Sequence, residues 1–119
     1  MERLDAAIRV AENFPPEVEK ADAADFVRRF LGSRRPGHAA VLFHSIMWQY
    51  MPAATQAAIT AMLEEAGTSA DSSMPLAHLR MEPLGGPDGF ATLILTSWPG
   101  GGTRHLARCD FHGRWIEWL

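Results

Sequence analysis

Cysteine is nearly absent: Cys109 is the only one in 119 residues. A lone thiol excludes an internal disulfide framework and a cysteine-based zinc site. It reads as a small buried hydrophobe in a reducing, cytoplasmic setting. Lysine is just as scarce, Lys20 being the single one, so arginine carries the positive charge. Arginine's planar fork suits fixed pairing with carboxylates. The formal net charge is −3. The sequence therefore lacks the clustered basic surface that nucleic acid or an anionic membrane requires. Arg34-Arg35 reads as solvated loop. No apolar run approaches the roughly 20 residues of a membrane span. The first residues are charged and helical in pattern, unlike a signal peptide. Gly-x-Gly-x-x-Gly after a strand and the phosphate loop are both missing. The run Gly100 to Gly102 joins two candidate strands and precedes no helix, so it reads as a turn.

What remains is an ordinary globular composition, 47% hydrophobic, at the length of one domain. Leu4, Ile8 and Ala11 fall on one helical face, and Pro15-Pro16 ends that helix. Glu17 to Ala21 suits a short strand. Asp22 has the position of a helix N-cap, with Phe26, Val27, Phe30 and Leu31 as the buried stripe and Gly32 as the stop. His38 to Phe43 is apolar on both faces, the mark of a strand covered on both sides of a parallel sheet. Pro52 can open the next helix at its first position. Ile59, Met62, Leu63 and Ala66 form its core face, and Gly67 ends it. Leu76 to Glu82 alternates, with Ala77, Leu79 and Met81 opposite His78, Arg80 and Glu82. Leu84 to Gly89 reads as a Gly/Pro loop. Phe90 to Trp98 and Thr103 to Asp110 read as a hairpin about Pro99 to Gly102. The expected fold is α/β: a mixed, mainly parallel sheet with flanking helices and a C-terminal antiparallel hairpin, in two or three layers.

Two constellations could carry chemistry. His44 and Ser45 follow the apolar strand, and ligands of open parallel sheets bind beyond the carboxyl ends of strands. His44 could act there as base or donor; equally, both residues could cap the next turn. The glycines of a nucleophile elbow are absent around Ser45. Trp48, Gln49 and Tyr50 suit either a pocket lining or a plug for the sheet end. Asp110 and His112 point the same way along a strand. With His44 or Glu82 they could make a two-His, one-carboxylate metal set; structural hydrogen bonds at a turn before Gly113 are the plainer reading. Glu82 suits an ion pair with Arg80 or Arg114. Trp98, Trp115 and Trp118 read as core or interface anchors.

Four stretches carry a family resemblance: Val41-Leu-Phe-His-Ser-Ile-Met-Trp-Gln-Tyr-Met-Pro52, Leu79-Arg-Met-Glu-Pro83, Trp98-Pro-Gly-Gly101 and Cys109-Asp-Phe-His-Gly-Arg-Trp115. With Lys20-Ala-Asp-Ala-Ala-Asp25 ahead of them, they resemble the C-terminal part of an uncharacterised bacterial family, domain of unknown function 2332. Longer members of that family carry a glycine-rich stretch similar to the first motif of class I S-adenosylmethionine-dependent methyltransferases. This chain has no such stretch. The resemblance implies the second half of a Rossmann-like methyltransferase fold, with Asp22 at the adenine side and His44 and Ser45 near the substrate. S-adenosylmethionine would then bind only with the missing N-terminal half. It also implies that the chain pairs its strands differently, exposes a sheet edge or associates with another copy, and so points to a homo-dimer or an association with a missing N-terminal region. Three functions follow. The first is a non-enzymatic or incomplete module. The second is the substrate-side half of a methyltransferase-like enzyme, with His44, Ser45, Asp110 and His112 as candidate catalytic groups. The third is a metal-dependent hydrolase using His44, His112 and a carboxylate.

Overall fold

The computed structural model describes residues 1–85 and 89–119. Helix α1 spans Glu2–Asn13 and α2 spans Ala23–Gly32. Strand β1 is Ala40–Ser45, followed by a 3-10 turn at Trp48–Tyr50 and by α3, Ala53–Thr68. Strands β2 (Leu76–Glu82), β3 (Ala91–Trp98), β4 (Gly102–Cys109) and β5 (Ile116–Trp118) complete one sheet in the order β1-β2-β3-β4-β5.

Among the described residues only β1 and β2 run parallel; every later pair is antiparallel. The expected mainly parallel sheet is thus corrected to a mostly antiparallel one. The physical reason is connection length. Only β1 and β2 are separated by a crossover helix, and short connections force neighbouring strands to reverse. Leu84 to Gly89 makes one of these connections; Gly86, Pro87 and Asp88 lie outside the described residues.

Helices α2 and α3 pack together and cover a single face of the sheet. The core is Val27, Leu42, Ile59, Leu63 and Leu76. Each such side chain removed from water contributes on the order of 2 kcal/mol. Asp22 caps α2 as expected, its Oδ1 accepting from the Ala24 and Asp25 amides. Pro52 is the N-cap of α3, one position earlier than expected, and Gly67 lies inside the helix. There it gives way to the Trp98 indole, which occupies the space a Cβ would need.

Strand β1 is a sheet edge covered on one side only. Leu42 is buried, whereas Val41 and Phe43 are 50% and 63% exposed. The apolar run His38 to Phe43 therefore does not mark a doubly covered strand. Its outward residues share a face with Ala77, Leu79, Met81, Leu93 and Leu95, all half-buried. Glu17 to Ala21 is exposed and not a strand, and no residue of α1 is buried. Arg34 is not a solvated loop residue either. Its guanidinium donates to the Leu31 and Ala66 carbonyls and to Ser69, tying the ends of α2 and α3 together.

Candidate functional site

Strand β2 puts its polar residues inward. Register aligns Leu42 with His78 and His44 with Arg80, so His44, His78, Arg80 and Glu82 all stand on the helix-covered face. His78 and Glu82 are buried, at 4% and 6% exposure. Buried polar groups are costly unless hydrogen-bonded, and these four hydrogen-bond one another in a chain. Arg80 Nη1 lies 3.2 Å from His78 Nδ1. His78 Nε2 lies 2.8 Å from His44 Nε2, and His44 Nδ1 lies 2.8 Å from Glu82 Oε1.

The partners fix the protons. A guanidinium has no acceptor, so His78 Nδ1 must accept from Arg80. His78 is then the Nε2–H tautomer and donates to His44 Nε2. That leaves His44 to donate from Nδ1 to the Glu82 carboxylate. Donation runs one way, from cation to anion, with no mismatch along the chain. Burial is the main cause that pulls the His78 pKa down to about 4, and electrostatic repulsion from the His44 ring and the Arg80 guanidinium adds to it. His78 is neutral at pH 7.

Local backbone completes the arrangement. Ile46 adopts φ +48°, a conformation that β-branched residues rarely take. The chain turns there so that the Met47 and Trp48 amides also donate to Glu82 Oε1, at 3.1 and 3.3 Å. Trp48 stacks on the His44 ring, 5.3 Å between centroids and 12° from parallel. Gln56 of α3 donates to the Trp48 and Met51 carbonyls and holds the 3-10 turn in place. Glu82 Oε2 is buried with no hydrogen-bond partner among the described residues.

A cleft of about 200 Å³ opens beside this turn, lined by Phe26, Leu42, His44, Met47, Trp48 and Met51 among others. Its wall is apolar but for the His44 edge and Glu19. Of the two alternatives for Trp48, the pocket lining is what the structure places there; Gln49 and Tyr50 are exposed.

The other sequence candidates sit elsewhere. Ser45 alternates onto the opposite, exposed face, away from His44. Asp110 is engaged in a turn. Its carboxylate accepts from the His112 and Arg114 amides and from the Arg114 guanidinium. The Arg114 bond is the chief cause that lowers the Asp110 pKa to about 2. His112 is exposed at the same turn. Among the described residues no three His, Cys, Asp or Glu side chains gather to hold a metal ion. Glu82 pairs with His44 rather than with Arg80 or Arg114, because Arg114 is held by Asp110. Asp22 spends its carboxylate on the α2 cap. Cys109 is buried, with Sγ 3.5 Å from the Ala91 carbonyl. Trp98 packs against the core, whereas Trp115 and Trp118 are 45% and 67% exposed. His78 went unmarked as a site residue, although the polar stripe His78-x-Arg80-x-Glu82 was its signal.

The family described as "Uncharacterized protein conserved in bacteria (DUF2332)" matches residues 1–118. The chain belongs to this family. Nothing in the match separates off a C-terminal portion or points to a methyltransferase. Neither the curated proteins nor the solved structures contain a match to the chain. No helix among the described residues is long and apolar enough to cross a membrane. For this DUF2332 chain, function has to be argued from the site itself.

Proposed function

We propose that this protein is a binding module whose β1-end cleft takes an apolar group, with His44, held in place by the hydrogen-bonded chain behind it, on the cleft wall. One observation carries the reading: both nitrogens of His44 and of His78 are already engaged. A general base needs a nitrogen free to reach the proton it removes, and none is offered to the cleft. Beside His44 stands a wall of aromatic and thioether side chains, which are adaptable packing partners for flat or aliphatic groups. An apolar cavity of about 150 Å³ holds benzene, so a cleft of about 200 Å³ suits a ring of benzene to indole size.

The test is a nuclear magnetic resonance titration with indole, read at the Trp48 side chain. Saturable movement of the Trp48 and His44 resonances is expected, with a melting temperature that rises with ligand concentration by mass action. Resonances that stay fixed to the solubility limit of indole would count against the reading.

A second reading concerns partners. The free edge of β1 carries exposed Val41 and Phe43, and exposed apolar edge strands invite pairing. A homo-dimer formed across β1 would cover both. Light scattering is expected to show a dimer that Phe43→Asp converts to monomer. A monomer at every concentration would exclude it.

A further inference from the structure

A second cavity lies on the other side of His78, between α3 and the inner face of β2–β4. It measures about 380 Å³ and, unlike the first, carries many polar groups, Thr60, Glu64, His78, Arg80, Thr96 and Thr103, beside Leu63, Trp98 and Gly101. We propose that this cavity binds a small zwitterion of the amino-acid class, its carboxylate on Arg80 and its ammonium on Glu64. The proposal concerns a different cavity from the β1-end cleft and goes beyond that reading.

Opposite charges line one cavity here without touching. Neither Arg80 nor Glu64 takes part in an ion pair among the described residues, although both face the same space. Arg80 is half-buried, and burial presses its pKa below the usual arginine value, with the charge of Glu82 only partly opposing it. A cation drawn partly out of water gains most from an anionic partner that replaces the lost hydration. Among the described residues Arg80 uses only Nη1, on His78. The rest of the planar fork can accept a carboxylate through paired bonds. His78 holds that fork from behind, so the guanidinium is oriented before any ligand arrives, which lowers the entropy cost of binding. Thr96 and Thr103 share a hydrogen bond of 2.8 Å on adjacent strands and form a hydroxyl floor. Glu64, one surface of α3 away, is exposed and free to swing toward an ammonium. The Trp98 indole also lines the cavity and serves as the probe of occupancy.

The experiment compares two probes, alanine and propionate, which differ by the amine alone, on the whole chain. Side-chain resonances of Trp98 and Arg80 are followed, with Trp48 as the reporter of the first cleft. Alanine is expected to move Trp98 and Arg80 saturably in the millimolar range, to leave Trp48 unmoved, and to bind at least several-fold tighter than propionate. Glu64→Gln, at an exposed position that the fold does not depend on, should reduce alanine to the affinity of propionate. Arg80→Gln, checked for an unchanged melting profile, should abolish binding of both. Fixed Trp98 and Arg80 resonances in the native protein would overturn the proposal. So would equal affinity for the two probes, which would remove Glu64 from the site.

Discussion

Glu82 receives three donors at one oxygen, from His44 and from the Met47 and Trp48 amides. Glu82→Gln keeps an acceptor in place, whereas Glu82→Ala strands all three buried donors. Unmade buried bonds cost about 1–3 kcal/mol each in the worst case, and breaking a buried pair about 3–5. Glu82→Ala is therefore expected to cost about 3 kcal/mol in urea unfolding and Glu82→Gln clearly less. Equal losses would mean that charge, not acceptance, matters at this position. His78 supplies a pH dependence. Its folded pKa, near 4, lies below the ordinary value of 6.5. Between those values the unfolded chain binds the extra proton, so stability is full above about pH 7 and falls as pH drops toward 4. The loss is at most about 3 kcal/mol. His78→Asn should flatten that slope between pH 6.5 and 4, and an unchanged slope would show that another group titrates there. At this scale the sequence was half legible. His44 and Glu82 stood out, but their partnership depends on the left-handed turn at Ile46, which no glycine or asparagine announces. Asp110 and His112 looked like a ligand pair, and the nearby Arg114 holds the carboxylate instead.

Elements were read well where period and caps agreed. The α2 cap at Asp22, the alternation of β2 and the β3–β4 hairpin all follow from local chemistry. The alternation of β2 misleads in one respect. Its polar side faces the helices, because polar groups linked by hydrogen bonds can be drawn out of water together. Hydrophobicity alone would turn that strand over. Strand β5 escaped notice, being three residues long and wholly exposed. Packing of α3 onto the sheet depends on Gly67 beneath the Trp98 indole. Gly67→Ala raises helix propensity by up to about 1 kcal/mol, yet it should lower the melting temperature, because overpacking typically costs about 1–3 kcal/mol. A rise in melting temperature would show that the indole moves aside freely.

For the whole molecule, one parallel crossover followed by an antiparallel meander gives one sheet with helices on one face and exposed apolar residues, Val41 and Phe43, at the β1 edge of the other. The doubly covered parallel sheet expected from His38 to Phe43 failed because an apolar run cannot say whether its second face meets a helix. Phe43→Ser should change monomer stability by less than about 0.5 kcal/mol, as surface substitutions do, while Leu42→Ala on the inner face should cost about 2–5. Comparable losses at the two positions would show that the outer face is covered. The binding reading itself stands on the fixed tautomers of two neighbouring histidines, and nitrogen-15 spectra of the imidazole rings at pH 7 test it most directly. The expected result is His44 protonated at Nδ1 alone and His78 at Nε2 alone, with His78 still neutral at pH 5. Rings that exchange between tautomers, or a His78 imidazolium at pH 6, would mean a nitrogen is free and would return acid–base chemistry to this site.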